Sequence, residues 1–120
     1  MLYVDVALSN VRDRQEHGVE PLRVSTSSML TWLPASVLAA AGIRPERTRA
    51  LERNDGSRFT RWAAPAILHV EGRSTVDDVI ICEPGDEPIL GWRALSGLNL
   101  QIDEATQRLV DRGPIPAAAA

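Results

Sequence analysis

Residues 24–34, "VSTSSMLTWLP", set four hydroxyl side chains, Ser25, Thr26, Ser27 and Ser28, between an apolar strand end and an apolar turn that closes on proline. Locally this reads as a strand entering a polar loop. Pro34 then fits the first turn of a helix, where a missing N–H removes no bond, and "PASVLAAAG" is rich in helix formers, with Gly42 just past its end. Upstream, "LYVDVAL" alternates, with Leu2, Val4, Val6 and Leu8 on one face and Tyr3, Asp5 and Ala7 on the other, the period of a half-buried strand. The polar segment "NVRDRQEHGVE", which contains a glycine, reads as a loop before a second strand at "PLRVS".

Downstream, Asn54-Asp55-Gly56 sits between strand-compatible arms in "TRALERNDGSRFTRWA", and these residues supply the positive φ angles of a tight hairpin turn. "PAILHVEGRSTVDDVIIC" predicts two more strands turning at Glu71-Gly72-Arg73, and "EPGDEP" predicts a loop. "ILGWRALSGL" reads as a strand end, a glycine and a short helix, and "NLQIDEATQRLV" as a last hairpin turning between Asp103 and Gln107. Many short strands with one or two short helices make a mainly β domain. Because 120 residues cannot cover a large open sheet, a closed or nearly closed barrel is expected.

The 16 acidic and 13 basic residues give a net charge of −3, and the basic residues are scattered, which argues against nucleic acid as a partner. All 13 are arginine, and the cluster Arg44, Arg47, Arg49 and Arg53 reads as solvated surface in preference to an anion site. One cysteine, Cys82 in "VIIC", excludes an intrachain disulfide and reads as a buried structural thiol. Cys82, His17 and His69 lack ligand spacing, so neither a metal nor another cofactor is expected. No stretch approaches the roughly 18 apolar residues of a membrane span, and the N-terminus lacks a leader pattern, so the expectation is a cytoplasmic protein without a membrane partner. A chain this short buries about two-thirds of its unfolded surface, and dimerisation would add to a modest core.

In this order and spacing, the chain resembles the bacterial retropepsin-like aspartic proteases, single-lobe relatives of retroviral protease. The resemblance rests on "VSTSSMLTWLPASVLAAAGI", the tip "NDGS" at 54–57, "ILGWRAL" at 89–95 and "LQIDEATQRLV" at 100–110. It implies a closed acid-protease barrel over residues 1–112, a flap hairpin tipped by Asn54, Asp55, Gly56 and Ser57, and a homodimer whose cleft takes a peptide or small molecule. Residues 113–120, Pro/Ala-rich, are expected to be a disordered tail.

The resemblance places the family's catalytic Asp at Ser25, its Thr at Thr26 and its Gly at Ser27. A serine hydroxyl can hold a water but has no basicity near neutral pH, so the paired-carboxylate mechanism is disfavoured. A Cβ at Ser27 is expected to crowd the cleft or change the backbone, whereas Thr26 keeps the residue that in the family reaches the partner subunit's loop. Three functions follow: a homodimeric binding or structural domain without protease activity, an aspartic endopeptidase or an inactivated form of one, and a non-proteolytic enzyme reusing the cleft through the Ser25 and Thr26 hydroxyls. A nucleophilic Ser25 would need His17 or His69 as its base. Trp32 and Trp92 are expected in the core, and Trp62 on the second flap arm is the candidate to close over a ligand.

Overall fold

The computed structural model describes residues 1–117, Val19 by its backbone alone. Among these residues the order is β1 (Tyr3–Ser9), β2 (Glu16–Val24), β3 (Thr31–Pro34), α1 (Ala35–Ala40), β4 (Arg47–Glu52), β5 (Arg58–Val70), β6 (Arg73–Cys82), β7 (Ile89–Leu90), α2 (Trp92–Gly97), β8 (Leu100–Asp103) and β9 (Arg108–Asp111). The protein is mainly β with two short helices, as its turn spacing predicts.

β1 pairs antiparallel with β2, whose last residues Arg23 and Val24 run parallel to Ile89 and Leu90 of β7. β7 meets β3 at Trp32, and β3 runs parallel to β6 from Thr31 opposite Val79 to Pro34 opposite Cys82. β6 pairs antiparallel with β5, whose residues Ile67–His69 pair in turn with Ser9–Ala7 of β1. The pairings therefore return to the strand they started from. β4 adds to the first half of β5 outside this circuit, and β8 and β9 form a separate hairpin.

Two apolar clusters lie on opposite faces of the sheet. The larger gathers Val6, Leu8, Leu22, Leu33, Leu68, Val79 and Leu90 with Leu38 of α1 and Leu95 of α2. The smaller consists of Leu30, Ala63 and Ile80, with Trp32 and Leu51 packed against it. Strands β3 and β6 are thus covered on both sides, which explains why "VIIC" is a continuous apolar run without alternation.

The second strand begins at Glu16, earlier than its polar sequence predicts. Its first half earns order from pairing with β1 instead of burial, and the register places His17 opposite Leu8 and Val19 opposite Ala7. Gly18, which reads as a loop marker, is the extra residue of this bulge, with φ +40°. Likewise β5 is one strand of 13 residues through Pro65, not a hairpin arm followed by a new strand.

Pro34 ends β3 and stands just before the helix, with extended φ −60° and ψ 143°. At the other end of α1, Gly42 has φ +74°, its N–H donates to the Ala39 carbonyl, and the Ile43 N–H donates to the Leu38 carbonyl. This paired 5→2 and 6→1 closure needs the left-handed residue that glycine supplies. Past β9, residues 113–117 carry no helix or strand, while Gly113 accepts a bond from Asn99 Nδ2; residues 118–120 of the expected tail lie outside the described residues.

A side chain at Gly91 would collide with the Leu30 and Met29 backbone, while one at Gly56 would meet nothing within 4 Å. Gly91→Ala is therefore expected to lower stability by about 2–3 kcal/mol, because backbone cannot yield as a side chain can. Gly56→Ala should cost about 1 kcal/mol, from its φ of +87° alone. Urea denaturation of the two variants checks the order.

Candidate functional site

The loop at 25–30 leaves β2 where β2 meets β7 and enters β3 where β3 meets β6. Its first residue is locked: the Ser25 N–H donates to the Leu90 carbonyl at 2.9 Å, and Ser25 itself is only 4% exposed. Across the loop, the N–H groups of Trp92 and Arg93 donate to the carbonyls of Ser28 and Met29, at 2.9 and 3.0 Å. The Gly91 N–H donates to Thr31 Oγ1 at 3.0 Å. The helix α2 has no side-chain cap, so the loop's carbonyls satisfy N–H groups that a helix start leaves without intrahelical partners.

Ser25 Oγ lies 3.1 Å from Ser27 Oγ and accepts two longer bonds of 3.3 Å from the backbone N–H groups of Ser27 and Ser28. Ser28 Oγ donates to the Leu30 carbonyl at 2.9 Å. Three of the four hydroxyls thus shape the loop from within, while Thr26 is exposed. Ser27 is also exposed, and its φ lies outside the left-handed region.

Neither histidine reaches Ser25. His69 Nε2 lies 2.7 Å from Ser9 Oγ, which donates to the Arg14 carbonyl at 3.1 Å, and His69 Nδ1 faces Glu16 at 3.8 Å. This Ser-His-Glu arrangement resembles a hydrolytic triad in composition only. Ser9 is fully buried, its hydroxyl held between the Arg14 carbonyl and the His69 ring, so no substrate can reach it. It fastens the β1–β2 turn to β5.

The β4–β5 hairpin forms as its turn residues predict. Arg53 N–H donates to the Ser57 carbonyl, Gly56 N–H to the Arg53 carbonyl, and Asp55 Oδ1 accepts the Ser57 N–H at 2.8 Å. Bonds from the Ser57 side chain and backbone hold the Asp55 carboxyl below its ordinary range. Asn54, Asp55, Gly56 and Ser57 are all exposed.

The second arm alternates, with Phe59 and Arg61 half-buried on one face and Trp62 half exposed on the other. Phe59 lies 6.3 Å from Trp32, whose neighbours Leu51, Ala63 and Ile80 adjoin Leu30 at the end of the hydroxyl loop. Phe59, Leu51 and Trp32, and not Trp62, therefore make the apolar surface that connects hairpin to loop. Strand periodicity could have separated residues 59 and 61 from 62, but the choice of face comes from contact with β3. Trp92 is 42% exposed, contrary to the expected core position, because the loop carbonyls hold the start of α2 at the surface.

Charge fixes the hairpin's base. Arg61 grips Asp86 through Nε at 2.7 Å and Nη2 at 3.0 Å, and Arg53 stacks on Phe59 with its guanidinium 3.9 Å from the ring centre. The Arg61 contact holds the Asp86 carboxyl below its ordinary range. Elsewhere Arg47 and Arg49 converge on Asp78, and Arg93 binds Asp77; these two buried carboxylates tie β4 and α2 to β6 and have no bond to the hydroxyl loop. Cys82 is half-buried, and burial pushes its thiol up to about 11.

Among the described residues, no group of three or more His, Cys, Asp or Glu side chains gathers to hold a metal ion, and no helix is long and apolar enough to cross a membrane. No protein-family model and no curated protein matches the chain.

Two outcomes follow for titration. With its thiol near 11 instead of 9.0, Cys82 should react about 100-fold more slowly at pH 8 with a thiol reagent than an unburied cysteine, since the thiolate is the reactive form. The carboxyls of Asp55, Asp86 and Asp111 are all lowered from 3.8, the last chiefly by Arg73, so the folded chain binds fewer protons than the unfolded one below that value. Their stabilisation is present above about pH 4 and is lost as pH falls through the lowered folded values. Denaturant midpoints measured across the acid range should fall there, and Asp86→Asn should flatten part of the slope.

Proposed function

We propose that this chain is a retropepsin-like homodimer without aspartic protease activity, which binds a peptide or small molecule in the cleft between its subunits. The observation that carries the reading is the buried, backbone-locked hydroxyl of Ser25 at the loop position where the family has its catalytic carboxylate. Its bonding partners are one hydroxyl and two backbone N–H groups, so no general base stands ready to activate a water.

A closed barrel is supported by the strand pairings that return from β5 to β1. Dimerisation through the loop is supported by what surrounds it: Thr26 is exposed, and Met29 and Trp92, each 42% exposed, lie on backbone segments bonded to one another. A second subunit would cover this apolar pair. The ligand surface would be the apolar cluster of Trp32, Leu51 and Phe59 beneath the 54–57 tip, suited to an uncharged side chain.

A retained activity, proteolytic or otherwise, is the competing reading, and the double substitution Ser25→Asp with Ser27→Gly separates them. The unaltered chain is expected to sediment as a dimer and to leave a peptide library uncut at mildly acidic pH. Cleavage by the unaltered chain would overturn the loss of protease activity, and a monomer at tens of micromolar would overturn the shared cleft. Cleavage by the double variant alone would identify an inactivated protease. Trp92→Glu should weaken the dimer by roughly tenfold or more, about 1.4 kcal/mol or above, in the same sedimentation experiment.

A further inference from the structure

Far along the chain from the hydroxyl loop, a cavity of about 380 Å³ opens between the β1–β2 turn and the connection from α1 to β4. Arg12 lines it from one side and Arg44 from the other, and Glu46 and the apolar Val11, Ile43 and Pro65 are also on the wall. Seven of the arginines form ion pairs: Arg23, Arg47, Arg49, Arg58, Arg61, Arg73 and Arg93. Among the described residues Arg12 and Arg44 have no carboxylate within 4 Å, although acidic residues outnumber basic ones by 16 to 13. The one carboxylate on the cavity wall, Glu46, pairs with neither, so two guanidinium groups against one carboxylate leave the cavity with a net positive charge that an anion would neutralise.

The two walls are also fixed before any ligand arrives. Asn10 Nδ2 donates to the Gly42 carbonyl at 2.8 Å, while Asn10 Oδ1 accepts the Arg12 N–H at 2.9 Å. The Asn10 carbonyl accepts the Arg14 N–H, and the Arg14 carbonyl in turn accepts the bond from buried Ser9. On the far side, the closure of α1 through Gly42 and Ile43 sets the backbone from which Arg44 springs. One asparagine therefore spans 32 positions of sequence to hold both arginine-bearing turns in register. The backbone of the site is thus set in advance, and binding has to order only the exposed Arg12 and Arg44 side chains.

We propose that this cavity is a binding site for a small phosphorylated, hydroxyl-bearing molecule. Arg12 and Arg44 would take the phosphate oxygens by charge-assisted bonds, the geometry for which guanidinium is suited. Glu46, on the same wall and without an ion pair among the described residues, would accept from a hydroxyl of the ligand and would disfavour a second anionic group. The site shares no residue with the hydroxyl loop or the hairpin tip, so it stands whether or not the subunits form a cleft.

Calorimetric titration at low ionic strength tests it, using inorganic phosphate and glycerol phosphate as the two probes. Both should bind saturably with one site per chain, glycerol phosphate more tightly. Arg12→Gln and Arg44→Gln should each weaken both probes by roughly tenfold or more. Arg58→Gln, which alters an exposed pair on the hairpin, should change neither. Glu46→Gln should reduce the preference for glycerol phosphate over phosphate. Amide shifts at Gly42 and the Asn10 side chain, followed by NMR, locate the site independently and report whether each variant is folded. Absence of saturation, equal loss in Arg58→Gln, or unchanged affinity in both cavity variants would overturn the proposal; equal affinity for the two probes would overturn the role of Glu46.

Discussion

The backbone seam between residues 25–31 and 90–93 is the constraint on which the rest of the molecule depends. The loop's carbonyls serve the N-terminal N–H groups of α2, and the Leu90 carbonyl receives the Ser25 N–H in return. Neither segment is complete without the other, since an unpaired backbone group out of contact with water costs about as much as a lost hydrogen bond. The approach is so close that only glycine fits at 91. It also brings β2, β7 and β3 side by side, so a two-residue strand joins the two halves of the sheet.

With that seam in place, the sheet acquires two buried faces of unequal depth. The larger apolar cluster accounts for most of the core, and the smaller one carries the hairpin arm across to the loop through Phe59, Trp32 and Leu30. Electrostatics follows the same division. Asp77 and Asp78 anchor α2 and β4 to β6, while Asp86 holds Arg61 at the hairpin's base. Each of these pairs links elements that backbone bonding leaves apart, and the buried ones restrain geometry more than they add to stability, because desolvation offsets much of their attraction.

Much of the fold was legible in the residues themselves. The hairpin at Asn54–Gly56, the turn at Glu71-Gly72, the helix closed by Gly42 and the final hairpin are dictated by local conformational preference, and each forms where the sequence predicts it. Two boundaries were not legible. The polar start of β2 is a strand only because β1 lies beside it, and Pro65 stays within β5, opposite Asp78, although proline within a strand reads as a break. At the candidate site the polar connection between β2 and β3 was readable from the run of hydroxyl residues ahead of Leu33-Pro34. The outward turn of Trp62, the surface position of Trp92 and the partnership of His69 with Ser9 were not, since each depends on which strand lies next to which.

The sequence by itself determined the mainly β class, the turn positions and the absence of a carboxylate at the loop between β2 and β3, because these rest on residue identity and neighbours within a few positions. Only the tertiary structure decided what those residues meet. It divided one run of arginines into Arg47 and Arg49 on Asp78, Arg53 on Phe59, and Arg44 facing Arg12 across a cavity. It buried Ser25 and left Thr26 in the open. Side-chain environment is fixed by contacts between segments distant in the chain, and spacing along a single sequence carries no record of them.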